Sequence, residues 1–342
     1  MEVVGAQYMR NVSRTAKVAD YVFRVVAGFC ASSPAIFLLL IAGIVVYQSI
    51  PVMHFMGWSF LTHTRWDLGN LYGAMVKKNG VTAPVGASYG GLVFIVGTLL
   101  SSAIALVIAV PIAILTAVIL AYRVRGAIAW ILSILVELLA GIPSVVIGLW
   151  GILVLVPWIS AHLAPFLRHV LGCIPFFGGQ VGSGYGLLAS GIVLAMMIVP
   201  IITATARDLL LQVPLLAREG GLGVGMTTWE VVRYISLPYV RDGLVGAIAL
   251  GWGRAMGETM AVLMVSGNAM NILPSNLYSP ISTMAAFIAD QLDSAQTDAS
   301  GMAVHALSEL ALVLLVITLA TNLLARWLVR PRHGRRKEGV AK

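Results

Sequence analysis

The chain has 342 residues, 59% of them hydrophobic and 11% charged, with a mean hydropathy of +0.93 and a formal net charge of +8. A soluble globular domain carries about a quarter charged residues, so that class is excluded. The apolar residues fall in runs of about twenty, long enough to cross roughly 30 Å of hydrocarbon, which points to an all-α integral membrane protein with six transmembrane helices.

Residues 1–23 read as a basic cytoplasmic tail, with Arg10, Arg14 and Lys17 and room for a short interfacial helix. The first span is expected over 24–47. It lacks the small-residue cleavage pattern of a signal peptide, so it is read as a retained helix. Residues 48–89 are polar and turn-rich, with Pro51, Gly57, Gly69 and Gly73, and read as an external loop. The second span, 90–122, holds Pro111, a kink position. A basic turn, Arg123-Val124-Arg125-Gly126, leads to the third span, 127–159. That span carries Glu137 and the sequence Gly141-Ile142-Pro143-Ser144, where Pro143 can free backbone carbonyls toward a cavity. Residues 160–185 read as a second external loop, rich in Gly, Pro and aromatics. The fourth span, 186–206, contains Pro200, another kink position.

A polar segment, 207–242, separates the fourth span from the fifth. The fifth, 243–265, is glycine-rich and carries Arg254 and Glu258, one turn apart on one face of a continuous helix. Gly253 and Gly257 have the small-xxx-small spacing of close helix contacts, expected against a neighbouring subunit. Residues 266–301 read as a third external loop, with Asp290, Asp293 and Asp298. The sixth span is expected over 302–327, with Glu309 near its outer end as a rim residue. Residues 329–342 form a basic tail suited to anionic lipid. The six-span domain thus covers 24–328.

Orientation follows from the positive charges. Most of the 22 Lys and Arg fall in the two tails, the 123–126 turn and the 207–242 segment. Only Arg65, Lys77, Lys78 and Arg168 fall in the other three loops. The bias places both termini and 207–242 in the cytoplasm. In a membrane chain this charge is an orientation signal, and no nucleic acid is expected as a partner. Cys30 and Cys173 lie far apart in the chain, so neither a disulfide nor a metal-ligand spacing is expected. His54, His63, His162 and His169 are scattered over loops. No G-x-x-x-x-G-K-[ST] loop is present, so the chain has no ATP site of its own, and no cofactor is expected on it.

Within the polar segment, residues 213–238 carry four local signals. Val213-Pro214 opens a helix. Gly225 ends it. Thr227 and Glu230 form a Thr-x-x-Glu capping box that starts a second helix. Leu237-Pro238 reads as the stop of that second helix. Gly220, Gly221 and Gly223 each cost a helix about 1 kcal/mol relative to Ala, so the first helix is expected to be weak by itself.

This segment resembles the EAA loop of the inner-membrane permeases of ABC importers. That pattern is Glu-Ala-Ala, three residues, Gly, nine residues, then Ile-x-Leu-Pro. It falls here on Glu219, Gly220, Gly221, Gly225, Ile235, Leu237 and Pro238, with Gly in place of both alanines. Three further stretches, at 60–67, 140–151 and 251–268, resemble the phosphate-importer permeases of the PstC family. The resemblance spans nearly the whole chain outside the tails.

It implies a type I ABC importer permease fold in a bacterial plasma membrane. It also implies a PstA-like sister permease, two PstB-like ATPase subunits that use ATP and Mg, and a PstS-like extracytoplasmic binding protein delivering inorganic phosphate. The first helix of the EAA loop would be the coupling helix that docks on the ATPase, with Arg218 beside the motif. Arg254, Glu258 and Glu137 are candidates for the substrate path. Arg offers a planar fork matched to phosphate oxygens, and a carboxylate can accept a proton-bearing one. The alternative is an internal ion pair that only holds helices together. Permeases for molybdate or sulfate, a stand-alone secondary transporter or channel, and a membrane enzyme remain rival readings. The last would need a nucleophile–base pair that no spacing here establishes.

Overall fold

The computed structural model describes residues 14–328. The expected tails 1–13 and 329–342 lie outside the described residues.

Helix α1 runs over Arg14–Met56. It is longer at both ends than the expected first span. Residues 14–23 belong to the helix, steadied by an i,i+4 ion pair between Asp20 and Arg24 at 2.9 Å. At the other end the helix passes Tyr47 and Pro51, and it stops before Gly57, whose φ of +56° suits Gly. Most of α1 stands clear of the fold, with Leu39 at 72% exposure and Phe37 at 64%. It packs chiefly on the last helix, through Val52 and Phe55 near its end.

The expected 48–89 loop is therefore shorter and ordered. A helical turn α2 (Ser59–Thr62) precedes strands β1 (Trp66–Asp67), β2 (Asn70–Lys78), β3 (Val81–Val85) and β4 (Ser88–Tyr89). β1 pairs antiparallel with β4, and β2 with β3. The β2–β3 turn is Asn79-Gly80, with φ +52° and +83°. Both left-handed positions are what an Asn-Gly hairpin turn supplies. Trp66 sits at the centre of an aromatic cluster, with ring centroids of Phe287, Tyr89, Phe94 and Phe60 at 5.0, 5.6, 5.7 and 6.5 Å, all edge-on. This arrangement suits the ring quadrupoles and anchors the strands to the helix ends.

The centre of the bundle is α3 (Leu92–Arg123) against α6 (Leu187–Leu211). Ala105, Ala109, Ala113 and Ala117 are fully buried at a spacing of four, facing Leu194, Ile198, Ile202 and Ala206. Small side chains on one face let two membrane helices approach closely. Pro111 and Pro200 are accommodated inside these helices without ending them.

The expected third span is broken. α4 covers Gly126–Ala140 and α5 covers Ser144–Leu171, with Gly141-Ile142-Pro143 between them. α5 thus absorbs part of the expected 160–185 loop. It contains π turns at Gly151–Leu155 and Ile159–Leu163, each ending two residues before a proline, Pro157 or Pro165. Proline lacks an N–H and crowds the carbonyl four residues back, and a π turn widens the helix there.

After α6 come α7 (Leu215–Gly223), α8 (residues 228–256), α9 (Met260–Val265), α10 (Met284–Gln296) and α11 (Met302–Leu328). The expected 266–301 loop therefore contains a helix, α10. Thr283 caps it by accepting from Ala286 N at 3.4 Å. Met284 N also donates to Thr98 Oγ1 of α3 at 2.9 Å. Gly97 makes that approach possible, since a Cβ there would collide with the Ser282 carbonyl.

Among the described residues five helices are long and apolar enough to cross a membrane: α1, α3, α5, α6 and α11. The expected fifth span, 243–265, is present only as two pieces, α8 and α9, interrupted at 257–259.

Candidate functional site

The 213–238 segment forms a helix, a turn and a second helix, and its details differ from the local reading in one important way. α7 begins at Leu215, with Pro214 at the cap position. It closes with both bonds of a Schellman motif, Met226 N to Gly221 O at 3.1 Å and Gly225 N to Leu222 O at 3.0 Å, with Gly225 at φ +90°. The capping box is complete. Thr227 N donates to Glu230 Oε2 at 2.7 Å, and Glu230 N donates to Thr227 Oγ1 at 3.3 Å.

Leu237-Pro238 does not stop the second helix. Helix Thr228–Val231 passes into a π turn, Val232–Ser236, and then into Leu237–Met256 without leaving helical geometry. The π turn, closed by Leu237 N to Val232 O, accommodates Pro238 as its counterparts in α5 accommodate Pro157 and Pro165. The Ile235, Leu237 and Pro238 end of the motif and Arg254 thus lie on one rod, α8, about 40 Å long.

The motif residues divide by what they touch. Gly221 is buried, and its missing Cβ makes room for Ile235 and Val231 of α8. Leu237 packs with Leu210, Val213, Val240 and Leu244, seating α8 against the end of α6. Arg218 stacks on Tyr122, with the guanidinium carbon 3.9 Å from the ring centroid, and Tyr122 Oη donates to Leu210 O at 2.8 Å. Arg218 therefore anchors α7 to the end of α3 through a cation–π contact. Glu219 and Gly220 are exposed. Beside them Leu216 is 83% exposed and Val224 77%, an apolar knob on a polar segment. The expected weakness of α7 is thus offset in the chain itself by the Schellman closure, the Tyr122 stack and the Gly221 contact.

Gly220 has open space where a Cβ would lie. Gly220→Ala is expected to strengthen α7 by up to about 1 kcal/mol, read as a several-fold gain in amide protection over 215–224. Unchanged exchange there would show that tertiary contacts alone set the helix's stability.

The bonds from Thr227 N and Oγ1 hold the Glu230 carboxyl below its ordinary value of 4.5. A depressed folded value means the box stabilises the folded state above 4.5 and loses that contribution as pH falls through it toward the lowered value. Amides at the start of α8 are expected to lose protection below that pH, corrected for intrinsic rates, and Glu230→Ala is expected to remove the pH dependence.

At the other end of α8 the helix stops at Met256. Gly257 follows, then Glu258, whose Oε1 lies 3.5 Å from Ala261 N at the start of α9. Glu258 is therefore beyond the end of Arg254's helix, not one turn along it. Gly148 of α5 packs against Ala261 and Met264 of α9, and Gly151 against Val265. α5 and α9 thus run side by side in one direction, and the interruptions at 141–143 and 257–259 fall at about the same level. Arg254 and Glu137 are exposed and Glu258 is half-buried. Among the described residues no ion pair joins any two of them. Glu137 and Arg254 each fall in the last turn of helix before one of these interruptions, and Glu258 falls within the second. Gly253 lies near Asn322 of α11 and Gly251 against Ile202 of α6, so α8 is packed within the chain on two sides here.

Glu309, expected as a rim residue, is instead buried at 5% exposure. Its Oε2 has no hydrogen-bond partner among the described residues. Burial of this kind depends on tertiary packing, which no local pattern announces.

Comparison with known proteins follows the same outline. Residues 109–332 match the model of the binding-protein-dependent transport system inner membrane component family. The chain is 48% identical over 310 residues to phosphate transport system permease protein PstC 1 of Mycobacterium tuberculosis, covering 90% of this chain and 92% of that one. It is 41% identical to the PstC protein of Haemophilus influenzae over 277 residues, 80% of this chain and 81% of the relative. Among solved structures, a bacterial alginate ABC transporter in complex with an alginate-bound periplasmic protein superposes with a TM-score of 0.52. That match has 16% identity and covers 91% of this chain and 98% of that one, a likeness of fold alone. On the family match and these identities, the chain belongs to the binding-protein-dependent transport system inner membrane components and, within them, to the PstC permeases.

Proposed function

We propose that this chain is the transmembrane permease subunit of an ATP-driven inorganic phosphate importer. It forms half of the translocation path beside a PstA-like sister permease. Two PstB-like subunits bind and hydrolyse ATP with Mg, and a PstS-like protein delivers phosphate from outside. The chain itself is a transport subunit and not an enzyme. The single observation that carries this reading is the identity to PstC permeases along 90% of the chain.

Both termini and α7 face the cytoplasm in this reading, which rests on the Lys and Arg bias. α7 docks on the ATPase through Glu219, Gly220 and the exposed Leu216. Gly221, Gly225, Ile235, Leu237 and Pro238 shape and seat that helix, and Arg218 fixes it to Tyr122. α8 then carries displacement from the docking site to Arg254 along one continuous rod.

Arg254, Glu258 and Glu137 form the polar level of the path. A lone Arg at mid-membrane costs about 2.5–3.5 kcal/mol, so it is retained where it faces a water-filled path or a partner. Among the described residues each of these charges lacks an ion-pair partner, which favours the substrate-path role over an internal pair. Arg254 would hold phosphate oxygens through its fork. The carboxylates would accept a proton-bearing oxygen and disfavour a fully deprotonated anion.

The test is labelled-phosphate uptake into vesicles reconstituted with this chain and all its partners, competed with sulfate and molybdate. Phosphate uptake that resists both competitors is expected. Uptake of either rival in preference to phosphate would overturn the assignment.

A further inference from the structure

A cavity of about 660 Å³ lies between the end of α1, the start of α3 and the first half of α11. Its wall is apolar except at one point. Met53 and Trp58 contribute from the α1 side, Leu92 and Ile95 from α3, and Val313 and Ile317 from α11, together with Glu309. The volume is within the range of small-molecule sites, about 300–1,000 Å³. Met53 and Trp58 on its wall are exposed, Trp58 at 84%, so the cavity opens to the surroundings of the bundle. It has no bearing on the Arg254 level or on the α7 docking surface.

Three observations define what fits. First, among the described residues the only ionisable group lining the cavity is the carboxyl of Glu309, a residue itself 95% shielded, with Oε2 unpartnered. A buried acceptor without a donor is costly, and a ligand carrying N–H groups removes that cost. Second, the wall from Glu309 to Ile317 follows α11 for eight residues, about 12 Å. That is most of one leaflet of a hydrocarbon core of roughly 30 Å. The shape suits a chain lying along the helix rather than a compact solute. Third, the polar point is in the third turn of α11, on the side of its start, and the apolar wall runs from it through Val313 to Ile317, toward mid-membrane. Trp58, beside the opening, is the residue type that sits at a membrane–water boundary.

We infer that this cavity binds an amine-headed phospholipid of the phosphatidylethanolamine class from the leaflet on the β-strand side, with its ammonium on Glu309 and one acyl chain along Val313 and Ile317. A primary ammonium donates hydrogen bonds to the carboxylate. A choline head has no N–H to donate, and a glycerol head lacks the positive charge.

The test uses the whole complex purified in detergent and placed in nanodiscs, with a photoactivatable phosphatidylethanolamine as probe. Labelling is expected on the peptides covering 53–61 and 309–317. It is expected to be competed by phosphatidylethanolamine and at least about 5-fold less well by phosphatidylcholine or phosphatidylglycerol. Glu309→Gln keeps the shape and is expected to abolish the headgroup preference. Val313→Trp keeps the carboxylate, fills the slot for the acyl chain, and is expected to cut total labelling. Equal competition by all three headgroups, labelling elsewhere on the chain, or labelling indifferent to both variants would overturn the assignment. A Lys or Arg of a partner subunit crosslinking to Glu309 in place of lipid would overturn it as well.

Discussion

Arg254→Gln is expected to lower phosphate uptake on the order of 100-fold while leaving the yield and composition of the complex unchanged. Hydrogen bonds to a charged group contribute about 1.5–3 kcal/mol, and a fork that engages phosphate twice sits at the upper end. At about 1.4 kcal/mol per tenfold, that loss is the expected two decades. Assembly is expected to survive because Arg254 makes no ion pair among the described residues and its side chain is exposed in the chain. A different role is open to the same residue. Arg254 is in the last turn of α8, where a cation complements the helix dipole. The lysine variant separates the two. A point charge serves a dipole as well as a fork does, but it does not match a tetrahedral anion bidentately. Arg254→Lys with full uptake would assign the residue to the helix end. Uptake intermediate between wild type and Arg254→Gln would assign it to the substrate.

The outline of this molecule was legible where the governing interactions are local. Apolar runs of membrane length announced the spans because hydrocarbon thickness acts on each helix separately. Thr227 and Glu230 announced the start of α8, and Gly225 the end of α7, because each cap is made by residues within a few positions of one another. Asn79-Gly80 carried a hairpin signal of the same kind, lost to view inside a long polar stretch.

The misreadings share a different cause. Leu237-Pro238 read as a stop because proline breaks an ideal α-helix, whereas a π turn one step earlier keeps the rod intact. The run 243–265 read as one span because its composition is uniform, although Gly257 and Glu258 divide it. Arg218 on Tyr122 joins residues 96 positions apart, and Trp66 gathers rings from α2, α3, β4 and α10. No spacing rule reaches such pairs. Glu309 belongs with them, since the cavity it lines is walled by α1, α3 and α11, helices far apart in the chain.

Glu219→Lys is the corresponding test at the other end of α8, and it is expected to release the ATPase or uncouple it from transport. Glu219 is exposed on α7, and the ion pairs among the described residues do not include it, so its removal takes nothing from the fold. Its neighbour Arg218 is committed to Tyr122, which leaves Glu219 as the charge on this helix turned outward. Losing one partner of a hydrogen-bonded charge pair at an interface costs about 2–5 kcal/mol, and reversal adds repulsion. That predicts more than a tenfold loss of ATPase copurification, with binding-protein-stimulated ATP hydrolysis falling in parallel. Leu216→Asp supplies an independent probe of the same surface, because an apolar side chain 83% exposed gains nothing by facing water. If both variants retain the ATPase and its stimulation at wild-type levels, α7 is not the docking helix. If Leu216→Asp alone releases the ATPase, docking is carried by the apolar knob and Glu219 sets no part of its strength. Loss in both, with amide protection of α8 unchanged, is the result expected of a coupling helix held rigidly on the rod that ends at Arg254.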